Sequence, residues 1–84
     1  MTLGFVDDYI NQKINANEHY IRFTFYELRV KCNLTEEETD KFLELAKNKF
    51  ENMQYGVYFL GDTYEVEGQV REVEQNELLV AIKR

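Results

Sequence analysis

The segment from Thr35 to Gly56, TEEETDKFLELAKNKFENMQYG, constrains the fold more than any other part of the chain. Thr35 and Glu38 have the spacing of a capping box, in which each side chain accepts a hydrogen bond from the other residue's backbone N–H. Gly56 is the expected left-handed residue after the helix. Apolar residues recur at steps of three and four, which predicts a helix with one buried face: Phe42, Leu45, Ala46, Phe50 and Met53.

The length of 84 residues predicts one domain spanning residues 1–84. A hydrophobic fraction of 44% is typical of a globular chain, and a single Cys precludes an internal disulfide. No apolar run approaches the roughly 18 residues of a membrane span, and the first residues do not resemble a signal peptide. These features predict a cytoplasmic protein that does not bind membranes.

The chain before this helix has one clear element and one ambiguous one. Spaced apolar residues predict a first helix over residues 3–15, which Thr2 could cap. Residues 20–34 alternate like a long strand with a bulge at Phe25–Tyr26. They also fit a short strand followed by a helix that begins at Thr24, with Glu27 completing a second capping box. In that second interpretation Phe25, Leu28 and Cys32 face inward.

After Gly56 the apolar period changes to two, which indicates strands. Residues 57–60 form the first strand, and Gly61–Asp62 marks a turn. Residues 63–67 and 70–74 predict two short arms around Gly68–Gln69. Leu78 to Ile82 is a continuous apolar run, LLVAI, which is typical of a strand buried on both sides.

The strand around residues 57–60 is apolar on both faces. Helices packed on one side of a sheet would leave the other face open, and exposed apolar patches often mark interfaces. The sequence therefore suggests a protein interface, either with another protein or with a second copy as a homodimer. Alternatively, the first helix and the arms after Gly61 fold over the second face. The candidate interface residues are Tyr55, Tyr58, Leu60 and Tyr64.

The order of elements resembles that of a winged helix-turn-helix domain. The resemblance lies in FTFYELRVKCNLTEEETDKFLELAKNKFENMQYGVYF, with TFYELRVKCN as the short second helix and the Thr35–Met53 helix in the recognition position. It implies a winged-helix-like α+β fold, with three helices, a small antiparallel β-sheet and a long acidic wing. It also implies a possible transcriptional regulator that binds DNA. The chain is similar as well to small uncharacterised proteins of Gram-positive bacteria and their phages, which implies no activity.

The charge distribution opposes DNA binding. The chain carries a net charge of −6, and carboxylates dominate both the start of the long helix and the predicted wing. Carboxylates that face phosphates weaken binding, so nucleic acid is a disfavoured partner. A DNA-binding alternative would have to use the few available cations: Arg22, Arg29, Lys31, Lys41 and Lys47.

No motif for catalysis, a cofactor or a metal is visible in the sequence. His19 and Cys32 are the only His and Cys; we expect His19 on the surface and Cys32 in the core. The sequence thus predicts no enzyme, no cofactor and no metal. It favours a non-enzymatic protein-interaction module that associates with itself, with a winged-helix DNA-binding regulator as the alternative.

Overall fold

The computed structural model describes residues 4–17 and 19–84, which have a small α+β fold. The α+β class agrees with the prediction from the sequence. The predicted start of the first helix at Leu3 and its cap at Thr2 lie outside the described residues. In chain order the elements are α1 (Val6–Ala16), β1 (Tyr20–Thr24), a π-helix (Tyr26–Lys31), α2 (Glu36–Asn52), β2 (Tyr55–Tyr58), β3 (Thr63–Val66), β4 (Gln69–Glu72) and β5 (Glu77–Lys83).

Strand β5 is the centre of the main sheet. It pairs antiparallel with β1 on one side and β2 on the other, so the strand order is β1-β5-β2. Leu79 and Ala81 of β5 pack into the core with the helices, whereas Val80 packs on the opposite face. The apolar run of β5 is therefore buried on both sides, as the sequence indicated.

The helices cover one face of this sheet with an aromatic core. Phe23 of β1 lies between Phe42 and Phe50 of α2, with ring centroids 5.3 Å and 6.2 Å away. Ile10 of α1 is fully buried in the same cluster. Burial of each such side chain contributes about 1.5–3 kcal/mol, so this layer stabilises the packing of the helices on the sheet.

Helix α2 begins as the sequence predicts but ends differently, and two residues of its predicted buried face, Leu45 and Met53, are 46% and 42% exposed. Thr35 and Glu38 form the complete capping box. The residue in the left-handed conformation after the helix is Gln54, with φ 67°, and not Gly56. Gly56 instead lies buried within β2, where a Cβ atom would meet the hydroxyl oxygen of Tyr58 at 2.8 Å. The glycine is needed for this close approach of an aromatic ring and not for a helix cap.

Residues 20–34 form a strand followed by a helix, so the long-strand alternative is wrong. Thr24 Oγ1 accepts a hydrogen bond from the backbone N–H of Glu27, which is one half of the predicted capping box. The Glu27 carboxylate binds Tyr9 and Lys13 of α1 instead. The helix is a π-helix, since the N–H of Cys32 donates to the carbonyl of Glu27 five residues earlier. The wider turn changes which side chains face the core: Leu28 is buried, but Phe25, predicted to face inward, is 48% exposed.

Strands β3 and β4 form a separate two-stranded hairpin that folds over the second face of the main sheet. Tyr64 and Val73 pack on Val80 there, and Tyr58 joins them. The hairpin thus covers the apolar face that the sequence left open. Helix α1 does not share this role, because Val6 and Ile10 belong to the core on the other face.

The prediction of a winged-helix-like domain is wrong. That architecture has one small sheet, whereas the strands here divide into a three-stranded sheet and a separate two-stranded one. The predicted short second helix is a six-residue π-helix. The predicted acidic wing is the β3–β4 hairpin, which packs on the sheet and has its own apolar cluster. Tyr64 and Val66 alternate with polar residues along β3, so their side chains lie on the same face of the hairpin. This apolar face packs on the main sheet.

Candidate interaction surface

The four residues suggested as an interface occupy different environments. Tyr55 and Tyr64 are 4% and 5% exposed, and each packs inside an apolar cluster. Tyr58 is partly buried against the cluster beneath the hairpin. Leu60, in the loop after β2, is 62% exposed. Most of the apolar side chains of this strand are therefore covered within the fold. Of the four suggested residues, Leu60 alone has a mostly exposed side chain.

The five cations suggested for DNA contact lie on three different elements. Arg22 of β1 pairs with the buried carboxylate of Glu77 at 3.1 Å. Lys41 and Lys47 are exposed on α2, and residues six apart point about 120° apart around a helix axis. Arg29 and Lys31 lie on the π-helix. Of the five, Arg22 is therefore already engaged by a carboxylate of the fold.

The partly buried carboxylate of Glu27 and the buried carboxylate of Glu77 both have structural partners. Glu27 accepts hydrogen bonds from the Tyr9 hydroxyl and from Lys13 Nζ, which joins the π-helix to α1. Burial and the hydrogen bond to Glu27 raise the pKa of Tyr9 well above that of a free phenol. Glu77 accepts from Arg22 and from the backbone N–H of Glu74. Among the described residues, every buried side-chain nitrogen and oxygen has a hydrogen-bond partner.

Burial lowers the pKa of Arg22, but the hydrogen bond from Arg22 to Glu77 and the nearby tyrosine and carboxylate groups outweigh it, and the pKa is raised. Arg22 is thus a firmly held cation at the edge strand. Its guanidinium also lies 5.6 Å from the ring centroid of Tyr20. The contact with Tyr20 lies within β1, whereas the ion pair with Glu77 joins β1 to the start of β5. The role of Arg22 is therefore structural.

The most distinctive exposed feature is at the π-helix. Phe25, Tyr26 and Val30 are 48%, 60% and 56% exposed, although they lie within six residues of one another. Leu28, between them, is fully buried and anchors the helix in the core. Apolar side chains this close together on the surface commonly mark a site of protein contact. Irregular π-helical turns also occur frequently at functional sites.

Two cations border these apolar side chains. The guanidinium of Arg29 lies 5.3 Å from the ring centroid of Phe25, and Arg29 Nε donates to the carbonyl of Leu34 at 3.1 Å. Lys31 Nζ lies 6.0 Å from the ring centroid of Tyr26. Tyr26 and Lys31 are five residues apart in the sequence, and a π-helical turn places residues at this spacing next to each other. We call this surface the π-helix patch: Phe25, Tyr26, Arg29, Val30 and Lys31.

The sequence interpretation did not select the π-helix patch as an apolar surface. It placed Phe25 in the core and treated Arg29 and Lys31 only as possible DNA contacts. A signal was present, because a helix that begins at Thr24 and buries Leu28 leaves Tyr26 and Val30 outside. What the spacing could not give is the π-helical turn that also exposes Phe25.

Other kinds of site receive no positive indication within residues 4–17 and 19–84. No group of three or more His, Cys, Asp or Glu side chains there is arranged to hold a metal ion. None of the helices in this part of the chain is long and apolar enough to cross a membrane. In comparisons with known proteins, no protein-family model, no curated protein and no solved structure matches the chain.

Proposed function

We propose that the chain is a non-enzymatic protein-interaction module that binds its partner through the π-helix patch. The observation that supports this most strongly is the exposure of Phe25, Tyr26 and Val30 within six consecutive residues at the π-helix. Aromatic residues and Arg are enriched at the centres of protein interfaces, and the patch combines both. Its composition is therefore that of a binding surface.

The energetics support a contact of modest size. Covering the exposed half of an aromatic ring removes roughly 100 Å² from water, which contributes about 2–3 kcal/mol. Phe25 and Tyr26 each offer such an area, and Val30 adds to it. Leu28 and the Glu27 contacts with α1 hold the helix in place, so little ordering cost opposes binding.

A peptide-display selection against the immobilised protein tests this proposal. We expect enriched peptides that bind the unaltered chain and lose most of their affinity for Tyr26→Ser/Val30→Ser. The matched control is Leu45→Ser, which removes an exposed apolar side chain from α2. It should bind the peptides normally. Absence of any enriched peptide, or equal binding to the Tyr26→Ser/Val30→Ser variant, would refute the proposal.

A further inference from the structure

We infer that the π-helix patch binds a second copy of this chain, at the outer face of the β3–β4 hairpin of that copy. The inference rests on the proposed function, because it takes the π-helix patch as the binding surface. It adds the identity of the partner and the surface that the partner presents. The two surfaces are complementary in both charge and apolar character.

The hairpin outer face is an acidic surface with one exposed apolar side chain. Glu65 and Val70 are directly paired across β3 and β4, so their side chains lie on the same side of the hairpin. Glu72 lies two residues beyond Val70 and shares that side. Tyr64 and Val66 face the main sheet instead. Val70 is 72% exposed, which is the largest value among the large apolar residues exposed in the described part of the chain.

The π-helix patch carries the opposite charge around its apolar centre. No described carboxylate lies within ion-pairing distance of Arg29 or Lys31, which contact aromatic rings instead. Two cations beside Phe25 and Tyr26 thus match two carboxylates beside Val70. Complementary potentials of this kind raise the association rate and fix the orientation of two partners.

The two surfaces are not paired with each other within one chain, since no ion pair joins Arg29 or Lys31 to a described carboxylate. Glu65 borders a cleft with His19 and Tyr20 at the beginning of β1, whereas the π-helix follows the last residue of β1, Thr24. Five strand residues span about 16 Å. The hairpin is held in position by its packing on Val80. Both surfaces are therefore available to a second copy.

A symmetric dimer through two π-helix patches is disfavoured, because Arg29 and Lys31 would face the same cations. The contact we infer joins two different surfaces and leaves one of each free at the ends. Such head-to-tail contacts extend into a series of copies, or close into a ring when the rotation permits. Species larger than a dimer are therefore expected.

Analytical ultracentrifugation of the full chain tests this inference directly. At low salt we expect the average mass to rise with concentration beyond that of a dimer. Added salt should reduce association, because the contact depends on charge. A strict monomer at millimolar concentration and low salt would overturn the inference.

Charge reversal identifies the two surfaces. Arg29→Glu/Lys31→Glu and Glu65→Lys/Glu72→Lys should each lower the self-association constant by about tenfold or more, because each brings like charges together. Mixing the two variants should restore association, since each then presents a surface complementary to the other. Lys31→Glu alone, which leaves the Arg29–Leu34 hydrogen bond intact, serves if the first double variant folds poorly.

Two controls carry equal changes of charge outside these surfaces: Lys41→Glu/Lys47→Glu and Glu44→Lys/Glu51→Lys on α2. They should associate as the unaltered chain does, and circular dichroism verifies the fold of every variant. Failure of the mixture to associate, or equal loss in a control, contradicts the inference. A monomeric chain that still selects peptides at the π-helix patch would refute self-association alone. Failure of both experiments would refute the proposed function as well.

Discussion

The hydroxyl oxygens of Tyr20 and Tyr64 lie 2.6 Å apart, which joins the edge strand β1 to the β3–β4 hairpin. Their rings also contact each other, with centroids 5.9 Å apart. This is the one described side-chain hydrogen bond between β1 and the hairpin, and it fixes how the hairpin covers the second face of the sheet.

Replacing either hydroxyl should loosen the hairpin. We expect Tyr20→Phe and Tyr64→Phe each to lower the free energy of unfolding by about 0.5–1.5 kcal/mol, because a partly buried hydrogen bond is lost. The double variant should cost less than the sum of the two, since both remove the same bond. Urea denaturation of the four proteins measures this coupling. Strict additivity would show that the two hydroxyls do not interact.

Alkaline pH should destabilise the protein through the same tyrosine. Burial, followed by the hydrogen bond to Tyr20, raises the pKa of Tyr64. The unfolded chain then loses its proton first, so stability is full below about pH 10 and decreases above it. Denaturation at about pH 9 and about pH 11 should show a smaller decrease for Tyr64→Phe than for the unaltered chain. Part of the decrease in stability should remain in Tyr64→Phe, because the pKa of Tyr9 is also raised.

Gly56→Ala should destabilise the protein by about 1 kcal/mol, the lower end of the usual cost of overpacking, because the Tyr58 ring must shift to make room. The added Cβ would meet the Tyr58 hydroxyl at 2.8 Å and its ring carbons at 3.2 Å and 3.3 Å. In a Tyr58→Leu background the same substitution should cost much less, because the ring is gone. Thermal or urea denaturation compares the two backgrounds. An equal cost in both would mean that Tyr58 is not the obstacle.

Glu27→Ala should cost about 2 kcal/mol or more, because the Tyr9 hydroxyl and the Lys13 ammonium would lose their shared partner in a partly buried site. The ion pair of Lys49 with Asp7, at 3.4 Å, is a useful contrast, because the Asp7 side chain is 79% exposed. Asp7→Ala should change stability by less than about 1 kcal/mol. Similar effects of the two substitutions in urea denaturation would contradict this difference.

Thr35→Ala should lower the free energy of unfolding by about 1 kcal/mol, the usual value for loss of a helix N-cap. Urea denaturation measures this loss.

The reciprocal hydrogen bond of the cap, from the Thr35 backbone N–H to the Glu38 carboxylate, depends on pH. The hydrogen bond from the Thr35 backbone N–H lowers the pKa of Glu38. The stability that this hydrogen bond contributes is therefore present above the ordinary carboxyl pKa. It is lost as the pH falls through the lowered pKa of Glu38. Glu38→Gln should reduce the acid sensitivity of unfolding, which urea denaturation at acidic and neutral pH measures.

Helix α2 and strand β5 were predictable because their signals are local. The Thr35–Glu38 cap forms between residues three apart, and the apolar stripe of α2 repeats within a few turns. The run from Leu78 to Ile82 contains the residues of a two-sided strand in direct succession. No distant contact is needed to form either pattern.

The π-helix patch was only partly predictable, because its geometry depends on distant residues. Glu27 binds Lys13 and Tyr9, which lie 14 and 18 residues earlier in the chain. The sequence predicted a capping box in which the Glu27 carboxylate binds the backbone N–H of Thr24, as at the start of an ordinary α-helix. In the fold its carboxylate turns to α1, and the wider turn leaves Phe25 exposed.

The sequence by itself determined the α+β class, the capped amphipathic helix and the acidic character of the chain. It did not determine what covers the second face of the sheet, since an apolar strand pattern shows that a face is buried and not what buries it. Only the tertiary structure decided that the hairpin folds back through Tyr64 onto Val80. That packing covers the aromatic strand within one chain, whereas the apolar side chains of the π-helix patch stay exposed beside Arg29 and Lys31.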